Sequence, residues 1–122
     1  MPNITLLNCD CMTYMAGCED NAFDLAIVDP PYGIGRDGGA TGPNWKFYEK
    51  KEWDNKSPDV SYFKEIERVC ENQIIWGANY YNCFTSEGSA VVWHKGNINP
   101  VFSQCEIASL SWGKKVDYVH ID

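Results

Sequence analysis

Residues 29–33 read Asp-Pro-Pro-Tyr-Gly, which puts a carboxylate, two prolines, an aromatic ring and a glycine in five consecutive positions. A carboxylate accepts hydrogen bonds and an aromatic face stacks on planar groups. Pro30 and Pro31 fix φ near about −65° and lack backbone N–H groups, so the acceptor and the ring are spaced by a stiff backbone. Gly33 lets the chain turn away without placing a side chain over the ring. Two readings stand on these residues alone: a stiff exit from a sheet, or a site whose geometry has to be held.

The elements that would position this stretch begin just before it. Phe23, Leu25, Ala26, Ile27 and Val28 make a nearly continuous apolar run of strand length, which predicts an inner strand of a covered sheet. Ile4 to Leu7 predict an earlier strand, and the segment from Cys11 to Asn21 a helix. Strand, helix, strand is the rhythm of α/β architecture, in which ligands sit at the carboxyl ends of parallel strands. Residues 33–56 hold five of the ten glycines and no stable period, and predict a long lid or substrate loop. Ser57 as cap, Pro58 in the first turn, and Val60, Phe63, Ile66 and Cys70 at spacings of three and four predict the clearest helix. Apolar runs at Ile74–Trp76, Ala90–Trp93 and around Ile107–Leu110 predict three further strands. The pattern of Val116–Ile121 is ambiguous.

A chain of 122 residues suits one domain with a modest core. Hydrophobic residues make up 44% and charged residues 22%, which excludes disorder as the whole answer. Acidic residues outnumber basic ones 17 to 10, for a net charge of −7. That balance argues against a free-standing binder of polyanions, but says little about a single pocket. The six cysteines lack paired metal-ligand spacing and follow no secretory leader, so free thiols, a cytoplasmic setting and no metal are expected. No segment reads as a membrane span.

The motif Asp29-Pro30-Pro31-Tyr32 resembles the catalytic motif of S-adenosylmethionine-dependent amino-methyltransferases that act on DNA. Its Asp-headed form is similar to the adenine-N6 branch rather than the Ser-headed form common in the cytosine-N4 branch. The likeness continues through LLNCDCMTYM, FDLAIVDPPYG, KKEWDN, NQIIWGANYY and VVWHKG, along most of the chain and in the manner of phage or prophage members. It implies a partial Rossmann-like methyltransferase fold, three-layer α/β/α with an incomplete, mostly parallel sheet, in one partial domain over residues 1–122.

The resemblance also implies roles. In this family the target base is flipped out of the duplex and held by its edge and by stacking. Asp29 would accept one hydrogen of the adenine amine and the Pro30 carbonyl the other, while Pro31 keeps the spacing and Tyr32 offers a face to the base. Gly33, Trp53 and Asn79 are substrate-side candidates, with Arg36 and Lys46 as phosphate contacts and Asp54 orienting the lid. Asp10 and Asp29 are the cofactor-side candidates for S-adenosyl-L-methionine. Asp10 also reads as a helix cap, Asn79 likewise, and His94 and Lys95 as rim groups outside the catalytic set.

Relatives continue into a segment resembling His-Pro-Thr-Gln-Lys-Pro and a strand ending in a Phe-x-Gly-x-Gly turn around the methionine part of the cofactor. Those motifs are absent from residues 1–122. The expectation is therefore a truncated domain whose partners are DNA and a second copy or complementing chain, without appreciable activity as a monomer. The alternative from a different class is an inactive structural or oligomerising module built on a methyltransferase framework.

Overall fold

The computed structural model describes residues 2–33, 56, 58–81, 83, 88–96 and 101–121. The expected lid, with Arg36, Lys46, Trp53 and Asp54, and the expected cap Ser57 lie outside the described residues. The elements are α1 (Cys11–Ala16), β1 (Phe23–Val28), α2 (Val60–Val69), β2 (Cys70–Trp76), α3 (Ala78–Tyr81), β3 (Ala90–His94), β4 (Cys105–Leu110) and β5 (Val116–His120). The five strands form one sheet in the order β1-β2-β4-β3-β5. β1 pairs with β2 and β3 with β5 in parallel, while β4 runs antiparallel to both β2 and β3. The fold is mixed α/β: four strands share one direction, yet half of the pairings are antiparallel.

Local chemistry explains the helices. Asp10 caps α1 by accepting from the Thr13 N–H at 2.9 Å, and Asp59 caps α2 by accepting from the Ser61 N–H at 2.9 Å. The α2 cap is thus Asp59, one residue after Pro58, because a carboxylate there reaches the orphan N–H groups of the first turn. The buried residues of α2 are Ile66 and Val69, each 2% exposed, and they meet Met15 of α1 and Cys70 of β2. Ala26 and Val28 of β1 pack on that cluster from the sheet. No loop separates α2 from β2: Val69 ends one and Cys70 starts the other.

Arg68 ties the helices together. Its guanidinium donates to the carbonyls of Met15 at 2.7 Å and Cys18 at 2.9 Å, and to the carboxylates of Asp20 and Glu65. Met15 lies in the last turn of α1 and Cys18 just beyond it, so the planar fork closes over the helix end by serving both carbonyls at once. At the other side of the sheet, the Ser111 hydroxyl accepts from the Gln73 N–H and donates to Asn72, fastening the end of β4 to β2.

Two expectations are corrected. Residues 4–7 form no strand; Ile4 and Leu6 are 86% and 90% exposed. A single extended segment leaves its backbone groups unpaired, and among the described residues no strand lies beside it. β1 is an edge strand rather than an inner one, and Phe23, Leu25 and Ile27 face solvent while Ala26 and Val28 face the helices. Its continuous apolar run therefore exceeds what the described residues cover.

Truncating Ile66 removes a side chain from the centre of the cluster. Ile66→Ala is expected to cost about 2–5 kcal/mol in urea unfolding, whereas Val60→Ala, on the exposed side of α2, changes stability by no more than about 0.5 kcal/mol.

Candidate active site

Because β1 and β2 are parallel and in register, with Val28 beside Ile75, their carboxyl ends emerge side by side. Asp29-Pro30-Pro31-Tyr32 leaves one and Trp76-Gly77-α3 leaves the other. The Tyr81 hydroxyl on α3 donates to the Pro30 carbonyl at 2.5 Å and to the Pro31 carbonyl at 3.1 Å. The motif's backbone is thereby pinned from the neighbouring element, and Pro30 is buried. The described peptide bonds are all trans.

Tyr32 is held as firmly as the prolines. Its hydroxyl donates to Asp29 Oδ1 at 3.0 Å, and its ring stacks on Tyr80 with centroids 4.6 Å apart and planes 18° apart. Gly77 sits against the same ring: with φ of 77°, it is in the left-handed region, and an added Cβ would fall 2.3 Å from Tyr32 Cε1. Glycine is therefore required here both by conformation and by close approach. Burial, the bond to Asp29, and the charges of Asp29 and Glu106 raise the Tyr32 hydroxyl's pKa, so it remains a protonated donor through the neutral range.

Asp29 borders two clefts. One, of about 370 Å³, is walled by Asp29, Tyr32, Trp76, Val91, Trp93 and Glu106, with Val119 and Ile121 closing its far side. The other, of about 450 Å³, runs along Cys11, Met12, Asp29, Pro30, Pro31 and Tyr62, with Asp59 and Lys56 at its margin. A third cleft, of about 310 Å³, adjoins the first through Tyr32 and Glu106 and contains Lys95. Lys95 Nζ and Glu106 Oε1 pair at 2.7 Å with both side chains largely covered.

The structure thus brings Asp29, Pro30, Pro31 and Tyr32 to one place, with Gly33 next in the chain at φ of 74°. Asp10 precedes the residues that line the 450 Å³ cleft: its Oδ2 accepts from both the Thr13 N–H and hydroxyl, which holds its carboxyl below the usual range. The two residues after it, Cys11 and Met12, reach that cleft. Asn79 is exposed on α3 and is not among the residues lining these clefts. His94 instead meets His120 across the β3–β5 pairing, with ring centroids 4.9 Å apart. Among the described residues no group of three or more His, Cys, Asp or Glu side chains is arranged to hold a metal ion, and the described cysteines are free.

Sequence reasoning misses Tyr81 and Glu106. The sequence signal for Tyr81 is the second tyrosine of NYY, at a spacing that a single helical turn swings toward the prolines. For Glu106 it is an acid inside the otherwise uncharged strand CEIASL, opposite Trp93 in the β3–β4 register.

No protein-family model matches the chain. A search of curated proteins found similarity to the Type II methyltransferase M2.MboI of Moraxella bovis, 26% identical over 122 aligned positions. This relative is a methyltransferase. The match covers 83% of this chain and 44% of the relative, so the chain spans less than half the relative's length. Among the described residues no helix is long and apolar enough to cross a membrane.

Tyr81→Phe leaves the buried Pro30 carbonyl without its partner and is expected to cost about 1–3 kcal/mol in denaturant unfolding. Alkaline pH offers a second check. Burial pushes Tyr62 from 10.0 up to about 12, and Tyr32 shifts in the same direction. The folded state keeps these protons after the unfolded chain has released its own, so their stabilisation is complete below pH 10 and is lost as pH rises toward 12. Unfolding free energy measured across that window should fall with pH, and less steeply in Tyr62→Phe.

Proposed function

We propose that this chain carries the acceptor-side catalytic portion of an S-adenosylmethionine-dependent DNA adenine-N6 methyltransferase of the restriction-modification kind. The observation that carries this reading is Asp29 as the common wall of two clefts at the carboxyl ends of parallel strands. A group-transfer reaction needs two ligands to meet at one point, and Asp29 is the residue that borders both spaces. The similarity to a methyltransferase supports the same reading.

The 370 Å³ cleft suits a flipped adenine: Trp76, Trp93 and Tyr32 provide aromatic walls and Asp29 an acceptor at one side. The 450 Å³ cleft suits the cofactor, since Asp29 favours a cationic centre while Tyr62, Met12 and Pro31 suit an adenosyl ring, with the Asp59–Lys56 pair of charges at its margin. When bound, S-adenosylmethionine supplies an electrophilic methyl group. Asp29 accepts one amine hydrogen and draws nitrogen toward tetrahedral geometry, which frees a lone pair otherwise shared with the ring. Pro30 and Pro31 keep that carboxylate from retreating, and Tyr32 fixes its orientation through Oδ1. Positioning and local electrostatics of this kind supply most of the needed acceleration.

The fold that this function calls for is the three-layer Rossmann-like arrangement. The bare face of β1 and the exposed Ile4, Leu6 and Leu7 are where further protein would complete the sheet and the cofactor cradle. Trp53 and Gly33 belong to the substrate side of this reading and Asp10 to the cofactor side. A second reading, an oligomerising module without activity, is favoured by the same exposed apolar surface.

Calorimetry with S-adenosylmethionine and mass analysis of nucleosides from treated duplex DNA test the reading together. The chain alone is expected to transfer no appreciable methyl; assembled with the protein that completes its sheet, it is expected to bind the cofactor saturably and place methyl on adenine N6, with Asp29→Asn lowering the transfer rate by about 10²–10³-fold. Methyl on cytosine, or equal rates in the two proteins, would sink it; a stable dimer that binds no cofactor would favour the module.

A further inference from the structure

The geometry points to Glu106 as the second acceptor for the exocyclic amine, a specificity-determining residue held in place by Lys95. The inference rests on the reading of the 370 Å³ cleft as the amine's site.

An amine carries two hydrogens, and Asp29 offers an acceptor for one. The expected acceptor for the other, the Pro30 carbonyl, is buried and has one of its two lone pairs engaged by the Tyr81 hydroxyl at 2.5 Å, whereas Glu106 keeps a whole carboxylate oxygen uncommitted. Glu106 borders the same cleft as Asp29 and lies across from Trp93 in the β3–β4 register, so its side chain emerges on the cleft face of the sheet. It is tethered through Oε1 to Lys95 Nζ at 2.7 Å, where water is largely excluded from both side chains. A charge pair of this kind fixes a carboxylate's direction. With Oε1 committed to Lys95, Oε2 is the atom left to face a ligand donor.

The pair also selects for chemistry. A primary amine satisfies two carboxylates, whereas a carbonyl oxygen in its place would confront both of them with a lone pair. An acceptor left unpaired where water is largely excluded, as at Glu106, is what makes such discrimination large. Guanine and thymine, which present carbonyls at the corresponding position, are rejected on this basis.

Binding of nucleosides tests the contact without requiring methyl transfer. The probes are 2′-deoxyadenosine, with two amine hydrogens, its N6-methyl derivative, with one, and its N6,N6-dimethyl derivative, with none, each titrated by NMR. Wild-type protein is expected to lose roughly ten-fold in affinity at each step, the low end for a hydrogen bond to a charged group. In Glu106→Gln, Lys95 claims the amide oxygen and turns the amide NH₂ toward the ligand, so one of the two steps should vanish. Glu106→Asp keeps the charge but draws the carboxylate back, and should lose the same step while preserving the fold, which thermal melting verifies.

Equal weakening of all three nucleosides in both variants would mean a structural role and overturn the inference, as would a wild-type protein indifferent to the amine hydrogens. The methyl-transfer assay separates this from the broader reading. Transfer to adenine at an unchanged rate in Glu106→Gln overturns the role of Glu106 and leaves the methyltransferase standing. Amine-dependent binding that Glu106→Gln removes, in a chain that transfers no methyl even when assembled with the protein that completes its sheet, upholds Glu106 and removes the transferase.

Discussion

The parallel pairing of β1 with β2 is the constraint on which the site depends. Parallel strands deliver their carboxyl ends to the same edge of a sheet, so the segment leaving β1 must face the segment leaving β2. Asp29-Pro30-Pro31-Tyr32 leaves β1, and Gly77 with the tyrosines of α3 leaves β2. Gly77 admits the Tyr32 ring, Tyr80 stacks on it, and Tyr81 holds the proline carbonyls. A shift of one residue in the β1–β2 register would turn every one of these side chains to the wrong face.

A good part of this is legible in the sequence, for physical reasons that vary by element. The Asp-Pro-Pro-Tyr stretch is readable because prolines and an acid after an apolar run have few structural uses, and the α2 helix because Ile66 and its neighbours recur at helical spacing. The first expected strand fails because Ile4 to Leu7 carry β-type side chains, while strand formation also requires a partner for the backbone. β1 is misplaced for a related reason: a continuous apolar run signals burial on both faces, and the covering layer is not among the described residues. The cap of α2 is Asp59, whose carboxylate is as good an N-cap as the hydroxyl expected there. Tyr81 and Glu106 are invisible as site residues because their roles come from pairings across the sheet that no local pattern encodes.

The electrostatics around Asp29 differ from those of the chain as a whole. The net charge of −7 disfavours long-range attraction to DNA. Inside the cleft the balance is different, because Glu106 is neutralised by Lys95 and Asp29 receives the Tyr32 hydroxyl. Carboxylates so engaged act as directed acceptors.

Arg68 gives the molecule an order of assembly. Its partners Met15, Cys18 and Asp20 lie 48 to 53 positions away in the chain. The guanidinium can meet them only after an excursion of that length has closed on itself, which makes the α1–α2–β1–β2 unit a product of distant encounters rather than local zippering. Closure entropy grows only with the logarithm of the span, about 0.6 kcal/mol for each doubling. Chain length between Tyr32 and Asp59 is therefore an inexpensive variable: lengthening that connection costs little closure entropy beside the clamp and the register that fix the two ends.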